Sequence, residues 1–452
     1  MFVITLILHY IIGLGILRRL GFRGTRWEFF GLAFPIGLGT GTLIVFLMDV
    51  FGITLTMLST SIAFLGIGSI LVYPEFSAFK GKGNRLFSFN FRGLEKISFA
   101  EWIFLIAIFA IYIISFWRCF YLPVTSYDSI VGIDLVAKYG AEEGRIDSRM
   151  FNDLKNDLST QPYYAPFTAL SQIIYRLSGH PSGQIWLSFM FLSLITVFYI
   201  SLRQEIHPIL AGFLTVMLIT IPELYAYTFL LQTDFPNAVF VSLSVIYAYQ
   251  FIKKKEWSYF WVSSILFGFG AWSRSETIVF TAITSLLIFL YIYKDKNFNP
   301  YKMTAIFFLI GFVFFGLWNL YYLPEVLNYA PESYFKFGFW DSERLSIIWN
   351  GMLGILTETT YWGYVSYFFI FTAIINIIFL KDRNNLFILL WITLIFFGFL
   401  ILLYHLQLNL NANINYTFRR GSFKLWPIMI YYAGTSYLFK KISGIIEKLE
   451  TN

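Results

Sequence analysis

Residues 102–122 read WIFLIAIFAIYIISFWRCFYL, and residues 123–130 continue as PVTSYDSI. The first stretch is apolar over about twenty residues, long enough for an α-helix to cross a hydrocarbon core of about 30 Å. The second stretch turns polar and carries the carboxyl group of Asp128 at the predicted membrane edge. It opens the longest polar segment of the chain, residues 123–183. The change from apolar to polar sequence after residue 122 predicts a membrane-spanning helix and a functional site at its end.

The composition of the whole chain indicates the same class of protein. Of 452 residues, 58% are apolar and 13% are charged, whereas soluble domains carry about 25% charged residues. Lipid offers no partners to backbone amides, so the spans are predicted to be helical. The net charge is +7, but the basic residues are scattered over separate loops. That scatter indicates contact with membrane lipids and gives no support to nucleic-acid binding.

Further apolar runs of similar length lie before and after residues 102–122, so we predict an all-α polytopic membrane protein with about 13 transmembrane helices. The predicted spans cover residues 2–17, 29–50, 54–74, 102–122, 184–201, 208–228, 236–252, 258–273, 277–293, 303–323, 361–380, 386–406 and 424–440.

Basic residues in alternate connections orient these spans. The clusters are Arg18 with Arg19, the loop 76–100, Lys253 to Lys255, Lys294 to Lys302, Lys381 to Arg383, and Lys440 with Lys441. Cytoplasmic loops carry the excess of Lys and Arg, so these clusters are assigned to the cytoplasm. The orientation predicts a multi-pass protein of a prokaryotic cell membrane with its N-terminus outside and its C-terminus in the cytoplasm. The segment 123–183 then lies outside.

Two short helices are predicted inside the outer loop 123–183. One covers residues 134–140. The other covers residues 166–177, where apolar residues recur at helical spacing. Such an amphipathic helix can lie in the membrane interface with Arg176 toward the lipid head groups. Gly179 follows it as a C-terminal stop.

Four short motifs occur in a fixed order and on one side of the predicted membrane. They are Tyr127-Asp128 with Ala137-Lys138 and Glu143-Gly144-Arg145-Ile146 after it, Gln161-Pro162-Tyr163-Tyr164-Ala165-Pro166, Thr233-Asp234-Phe235-Pro236, and Gly268-Phe269-Gly270-Ala271-Trp272-Ser273-Arg274-Ser275-Glu276. Together they resemble the GT-C superfamily of polytopic glycosyltransferases, especially its protein mannosyltransferase and aminoarabinose transferase branch. The resemblance covers residues 102–323. It departs at Ser129, where family members often carry a second acidic residue.

The resemblance implies both an architecture and an activity. Residues 102–323 would form a GT-C-like seven-helix catalytic core, preceded by three spans and a basic loop in 1–101 and followed by an outer segment and further spans in 324–452. The implied reaction is inverting transfer of a sugar from a polyprenyl-phosphate donor to a lipid, glycan or protein acceptor on the outer face.

Asp128 and Asp234 are the predicted catalytic residues. Inverting sugar transfer needs a base near the acceptor, and a carboxylate at the mouth of a half-apolar cavity suits that role. The alternative for each is a helix cap. A pair of carboxylates could also help to hold a divalent cation, so a metal remains possible but is not required.

Five further residues are predicted to bind substrate or phosphate: Arg274, Glu276, Lys138, Tyr127 and Asp134. The guanidinium of Arg274 fits a lipid phosphate, or it pairs with Glu276. Six more basic residues are further candidates for binding the phosphate, although a solvated surface charge is the simpler interpretation of each. They are Arg145, Arg149, Lys336, Arg419, Arg420 and Lys424.

Two other functions fit a polytopic chain. A transporter or lipid flippase would place ionisable residues at mid-membrane on interrupted helices, which this sequence does not display. A polymerase or ligase of surface polysaccharide would share the lipid-linked donor. For the transferase, we predict that Asp128, Asp234 and Arg274 meet in one pocket at the outer leaflet.

Overall fold

A computed structural model describes residues 1–79, 98–152, 164–180, 182–329, 338–379, 383–406 and 414–451. Most of the predicted basic loop 76–100, the motif residues 161–163 and the candidate Lys336 lie outside these ranges. The chain divides into two units. The first comprises residues 1–200 and 228–236, and the second comprises residues 201–227 and 237–452.

Every secondary-structure element within the described residues is a helix. The α-helices are α1 Phe2–Arg19, α2 Arg26–Val50, α3 Met57–Phe79, α4 Phe99–Tyr121, α5 Asp134–Glu143, α6 Arg149–Asn152, α7 Phe167–Leu177, α8 Ile185–Arg203, α9 Pro208–Ile219, α10 Pro222–Ala226, α11 Asp234–Lys254, α12 Trp257–Ser273, α13 Thr277–Ile292, α14 Pro300–Gly316, α15 Ser342–Thr357, α16 Thr359–Trp362, α17 Val365–Ile378, α18 Arg383–Phe397, α19 Ile414–Gly421, α20 Leu425–Thr435 and α21 Tyr437–Thr451. Three π-helical segments and one 3-10 turn complete them, at Ser129–Ile133, Leu317–Val326, Gly398–His405 and Ser422–Lys424.

Seven helices within the described residues are long and apolar enough to cross a membrane. They are Phe2–Arg19, Arg26–Val50, Phe99–Tyr121, Ile185–Arg203, Asp234–Lys254, Pro300–Val326 and Asn384–His405. Four shorter apolar helices are Met57–Tyr73, Pro208–Ile219, Thr277–Ile292 and Val365–Ile378. The protein is therefore a multi-pass membrane protein that is helical in the part of the chain the structure describes, and the predicted number of 13 spans is not confirmed.

The predicted spans 258–273 and 424–440 belong to neither set. The second of them is interrupted at Ser436, which has extended backbone with ψ of 161° and ends the 11-residue helix α20. The apolar run therefore continues into a separate helix, α21, instead of forming one span. Toward the N-terminus, α20 follows directly on the 3-10 turn Ser422–Lys424 and α19.

In the first unit, α1 and α2 cross at very close range because glycines lie at the contact. A Cβ atom on Gly13 would overlap the carbonyl group of Ala33, and one on Gly37 would overlap the carbonyl group of His9. Small residues allow this approach between helices in lipid, where dispersion contacts rather than the hydrophobic effect hold helices together.

Helices α5 and α7 lie where two short helices were predicted, and they pack on each other. Their location outside the membrane stays a prediction. Eight of the eleven residues of α7 are buried, so this helix is a packed element of the first unit. Arg176, which was predicted to face the lipid head groups, pairs with Asp134 at 2.7 Å. Gly179 ends the helix with φ of +88°, as the sequence indicates.

In the second unit, α14 packs along both α12 and α13, and α20 packs on α9, α17 and α18. Aromatic contacts fill the interior, among them the stacked rings of Trp362 and Trp426, whose centroids are 4.5 Å apart. Residues 274–276 form the turn between α12 and α13 and include the predicted site residues Arg274 and Glu276.

Candidate active site

Asp128 lies seven residues beyond the last residue of α4, directly before the π-helical turn Ser129–Ile133. Its side chain is half-buried and makes no hydrogen bond that caps this turn. Asp128 therefore does not cap the π-helical turn Ser129–Ile133.

Asp234 is the first residue of α11 and is only 1% exposed. It follows Leu231 and Gln232, two residues that contact the loop around Asp128. The carbonyl oxygen of Leu231 accepts a hydrogen bond from the Ser129 hydroxyl. The Asp234 carboxylate thus begins a helix whose leading segment is fixed to that loop.

Gln232 makes the second connection between these segments. Its side-chain amide donates to the hydroxyls of Ser126 at 2.6 Å and Ser129 at 3.3 Å. Gln232 is 3% exposed and Ser129 is fully buried, so water does not compete for the bond between them. The structure therefore holds the segments that carry Asp128 and Asp234 against each other, although they are far apart in the sequence.

Helix α4 also contacts the segment that leads to Asp234. The hydroxyls of Ser115 and Thr228 lie 2.8 Å apart, and the Cys119 thiol donates to the carbonyl oxygen of Thr228 at 3.4 Å. The guanidinium of Arg118 lies 4.5 Å from the centre of the Phe229 ring. Residues 228–232 are thus fixed along the end of the span that leads to Asp128.

Asp134, a predicted binding residue, is engaged within the protein. Both of its oxygens accept from the Arg176 guanidinium at 2.7 Å, and one also accepts from Gln172 at 3.0 Å. Gln172 in turn accepts from the Trp186 indole at 2.9 Å. These contacts fasten α5 to α7, so Asp134 positions the loop helices in this structure.

The other two loop candidates lie at the surface of the first unit. Lys138 is exposed, with its ammonium 5.7 Å from the centre of the Tyr139 ring. Tyr127 is 68% exposed, next to Asp128 in the chain. Their predicted roles in binding substrate stay predictions.

In the second unit, the turn at 274–276 is held by hydrogen bonds from neighbouring helices. The Asn237 amide donates to the carbonyl oxygen of Gly270 at 2.9 Å and to the Thr277 hydroxyl at 2.8 Å. The Ser275 hydroxyl donates to Asn319 at 3.0 Å. Asn237 thus holds the chain on either side of the turn, and Asn319 holds the turn itself.

This turn presents a charge cluster of Arg274, Glu276 and Lys424. The Arg274 guanidinium donates to one oxygen of Glu276 at 3.2 Å, and the Lys424 ammonium donates to the other oxygen. Burial raises the pKa of Glu276, but the attraction of Arg274 and Lys424 outweighs it and lowers that pKa to about 2. Two cationic donors thus converge on one ionised carboxylate, and donors of this kind suit an anionic ligand.

Of the two interpretations of Lys424, the solvated surface charge is wrong, and the role in binding phosphate stays a prediction. Its side chain is fully buried, and its ammonium lies 4.9 Å from the centre of the Phe280 ring and 5.5 Å from that of Phe399. A buried cation persists only with a partner, here Glu276. The sequence held one clue, since Lys424 directly precedes an apolar run that begins at Leu425.

The interpretation as a surface charge is also wrong for Arg420. This residue is 6% exposed and donates to the Tyr416 hydroxyl at 3.0 Å. Its neighbour Arg419 pairs with Glu223 at 3.1 Å, and its guanidinium lies 4.7 Å from the centre of the Tyr361 ring. In the first unit, by contrast, Arg145 and Arg149 are exposed, as predicted, with both side chains more than half accessible.

The predicted catalytic and phosphate-binding groups are divided between the units. Asp128 and Asp234 belong to the first, and Arg274 and Glu276 belong to the second. Their meeting in one pocket stays a prediction. Across the described ranges, no group of three or more His, Cys, Asp or Glu side chains is arranged to hold a metal ion.

Comparison with known families adds an independent finding. Residues 162–318 match the dolichyl-phosphate-mannose-protein mannosyltransferase family. The match covers roughly a third of the chain and includes Asp234, Arg274 and Glu276. It confirms the resemblance to GT-C glycosyltransferases. No curated protein and no solved structure matches the chain.

Proposed function

We propose that the chain is an inverting glycosyltransferase that moves a sugar from a polyprenyl-phosphate donor to a lipid, glycan or protein acceptor on the outer face of a cell membrane. The observation that carries this proposal is the match of residues 162–318 to a family of lipid-phosphate-sugar transferases. The apolar spans support it as well, because a polyprenyl donor reaches its enzyme through the bilayer.

Asp128 acts as the base in the proposed reaction. The acceptor oxygen forms a bond with the anomeric carbon of the donor sugar, while the bond from that carbon to the phosphate oxygen breaks. The acceptor proton passes to the Asp128 carboxylate, and the electron pair of the broken bond stays on the phosphate. Asp234 supplies a second carboxylate that orients the acceptor, and its support is the set of hydrogen bonds from Gln232 and Ser129 that joins the two segments.

Arg274 and Lys424 stabilise the leaving phosphate. The negative charge on the phosphate grows as the sugar departs, and fixed cations in a site shielded from water stabilise it more than water does. The support is the convergence of both cationic side chains on one carboxylate, that of Glu276. The guanidinium offers two parallel donors to phosphate oxygens, and the ammonium offers a point charge.

The matched family acts from dolichyl phosphate mannose by its description, so a mannosyl donor is the first to test. Purified protein in proteoliposomes is given polyprenyl-phosphate mannose, labelled in the sugar, with membrane extract as the acceptor source. We expect labelled product with wild type and a fall of at least about 100-fold with Asp128→Asn. Asp147→Asn, in the same loop, is the matched control and keeps full transfer.

Normal transfer by Asp128→Asn would show that this carboxylate is not the base. The same assay with EDTA, followed by Mg²⁺ or Mn²⁺, tests the possible divalent cation. Product size separates single-sugar transfer from polymer formation, since a polymerase gives a ladder of lengths.

A further inference from the structure

We propose that Glu276 is a resident carboxylate that takes the place of the donor phosphate on Arg274 and Lys424, so that donor binding exchanges one anion for another. This inference rests on the proposed function and assigns Glu276 the role of controlling phosphate affinity and release.

The geometry of Glu276 resembles that of a bound phosphate. Each of its two oxygens accepts from a different cation, one from Arg274 at 3.2 Å and one from Lys424. Two anionic oxygens on two cationic donors are the contacts that a phosphate monoanion would make. Glu276 thus occupies the donor groups that the proposed reaction needs.

Burial explains why a resident anion is required. The Lys424 side chain is 1% exposed and the Arg274 side chain is 16% exposed. Two cations held this close together repel each other, and an anion between them offsets that repulsion. Glu276 provides such an anion on both cations in this structure.

The position of Glu276 makes the exchange possible without unfolding. The residue lies in a turn rather than inside a helix, and its side chain is 20% exposed. Neighbouring residues therefore do not enclose the side chain completely, and it can rotate away from the two cations. The turn backbone stays fixed through the bond from Ser275 to Asn319. Only the Glu276 side chain has to move, while Arg274 and Lys424 keep their places.

The exchange has a consequence for turnover. Sugar transfer leaves a polyprenyl phosphate with more negative charge than the donor had, and this product would be held tightly by two cations. Return of the Glu276 carboxylate competes with the product and promotes its release. Removing the charge of Glu276 should therefore tighten the binding of lipid phosphate and slow the turnover that depends on its release.

The test compares Glu276→Gln with a matched control, Glu223→Gln. Glu223 pairs with Arg419 at 3.1 Å in the same unit, and its exposure is similar to that of Glu276. Binding of a polyprenyl phosphate of defined length is measured by tryptophan fluorescence, and its inhibition of transfer is measured in proteoliposomes. For Glu276→Gln we expect about tenfold tighter binding, a lower donor KM and a lower kcat. Glu223→Gln should match wild type in all three.

A structural role alone would give the opposite pattern. If Glu276 only keeps Lys424 folded, Glu276→Gln weakens lipid phosphate binding and raises the donor KM, which overturns the inference. Should Glu276→Gln fail to fold, Glu276→Asp keeps the charge but is too short to reach both cations. Tighter binding by Glu276→Asp, by a few fold, supports the exchange, and unchanged or weaker binding overturns it.

Two more variants separate this inference from the function on which it rests. If Arg274→Ala and Lys424→Ala leave polyprenyl phosphate binding unchanged, the proposed phosphate site is wrong, and the inference falls with it. If these variants weaken binding while Glu276→Gln does not tighten it, the phosphate site stands and only the exchange is wrong.

Discussion

The side-chain amide of Gln232 donates a hydrogen bond of 2.6 Å to the hydroxyl of Ser126, a residue 106 positions earlier in the chain. Ser126 lies two residues before Asp128, and Gln232 lies two residues before Asp234. Each of the two predicted catalytic carboxylates thus lies two residues after one partner of this half-buried hydrogen bond. Their relative position depends on that bond rather than on either helix alone.

Gln232→Leu should therefore impair transfer without unfolding the chain. The leucine fills a similar volume but donates nothing to Ser126 or Ser129, so the two segments can shift. A misplacement of about 1 Å in an active site can cost up to about 100-fold in rate. We expect kcat to fall by about tenfold or more, with a smaller change in the donor KM, measured by initial rates in proteoliposomes. Gln204→Leu, at an exposed position, is the control and should behave as wild type.

The sequence predicted those features that local pattern determines. Uninterrupted apolar runs became α1, α2, α4, α8 and α11, and the order of short motifs predicted the family resemblance. A run of apolar residues specifies burial in lipid over its whole length, so no distant partner is needed for the prediction.

Features that depend on a distant partner were missed. The pairing of Lys424 with Glu276 joins residues 148 positions apart, and that of Arg176 with Asp134 joins residues 42 positions apart. A single basic residue has the same local pattern whether it meets lipid, water or a carboxylate. The break at Ser436 was hidden for a related reason, since an apolar run does not reveal a change in helix direction.

The ion pair of Asp134 and Arg176 should stabilise the first unit. The two side chains are 17% and 21% exposed, and three donor groups reach the carboxylate. We expect Asp134→Asn to lower the free energy of unfolding by about 1–3 kcal/mol, measured by thermal unfolding in detergent. The swap Asp134→Arg with Arg176→Asp should recover part of the loss.

The control for this pair is Glu143→Gln. Glu143 also pairs with an arginine, but its partner Arg149 is 53% exposed. Solvent screens such pairs, so the loss should be about 1 kcal/mol or less. A loss as large as that of Asp134→Asn would show that the pairing of α5 with α7 adds nothing beyond an ordinary surface contact.

Gly144 ends α5 in the left-handed region, with φ of +69°, and its carbonyl oxygen accepts from the amide of Leu55 at 2.7 Å. A Cβ atom there would lie 2.7 Å from the Thr54 methyl and 3.1 Å from the Leu55 carbonyl oxygen. Gly144→Ala should destabilise the protein through both backbone strain and this contact. Strain alone costs about 1–2 kcal/mol.

Gly21→Ala isolates the strain. Gly21 has φ of +64°, but nothing lies within 4 Å of a Cβ atom built there. The unfolding temperature should therefore fall further for Gly144→Ala than for Gly21→Ala. If both variants lower the unfolding temperature equally, residues 54–55 move aside for the added Cβ atom without destabilising the fold.

Acidification should weaken the charge cluster of the second unit. The pKa of Glu276 is lowered from its ordinary value of 4.5 to about 2, because the attraction of Arg274 and Lys424 outweighs the effect of burial. A carboxyl group whose pKa is lower in the folded than in the unfolded chain stabilises the fold fully above pH 4.5. That stabilisation is lost as the pH falls toward 2. Between pH 5 and 3, the unfolding temperature of wild type should thus fall more steeply than that of Glu276→Gln.

Glu358→Gln provides the comparison for this pH dependence. The pKa of Glu358 is also lowered, but by hydrogen bonds from the hydroxyl and amide of Thr360, and Glu358 is exposed. Uncharged partners in contact with solvent stabilise a carboxylate less than two cations in a buried cluster do. The curve of Glu358→Gln should therefore lie close to that of wild type. If Glu276→Gln follows wild type as closely, the cations do not hold the Glu276 carboxylate in the folded protein, and both the charge cluster and the anion exchange built on it are wrong.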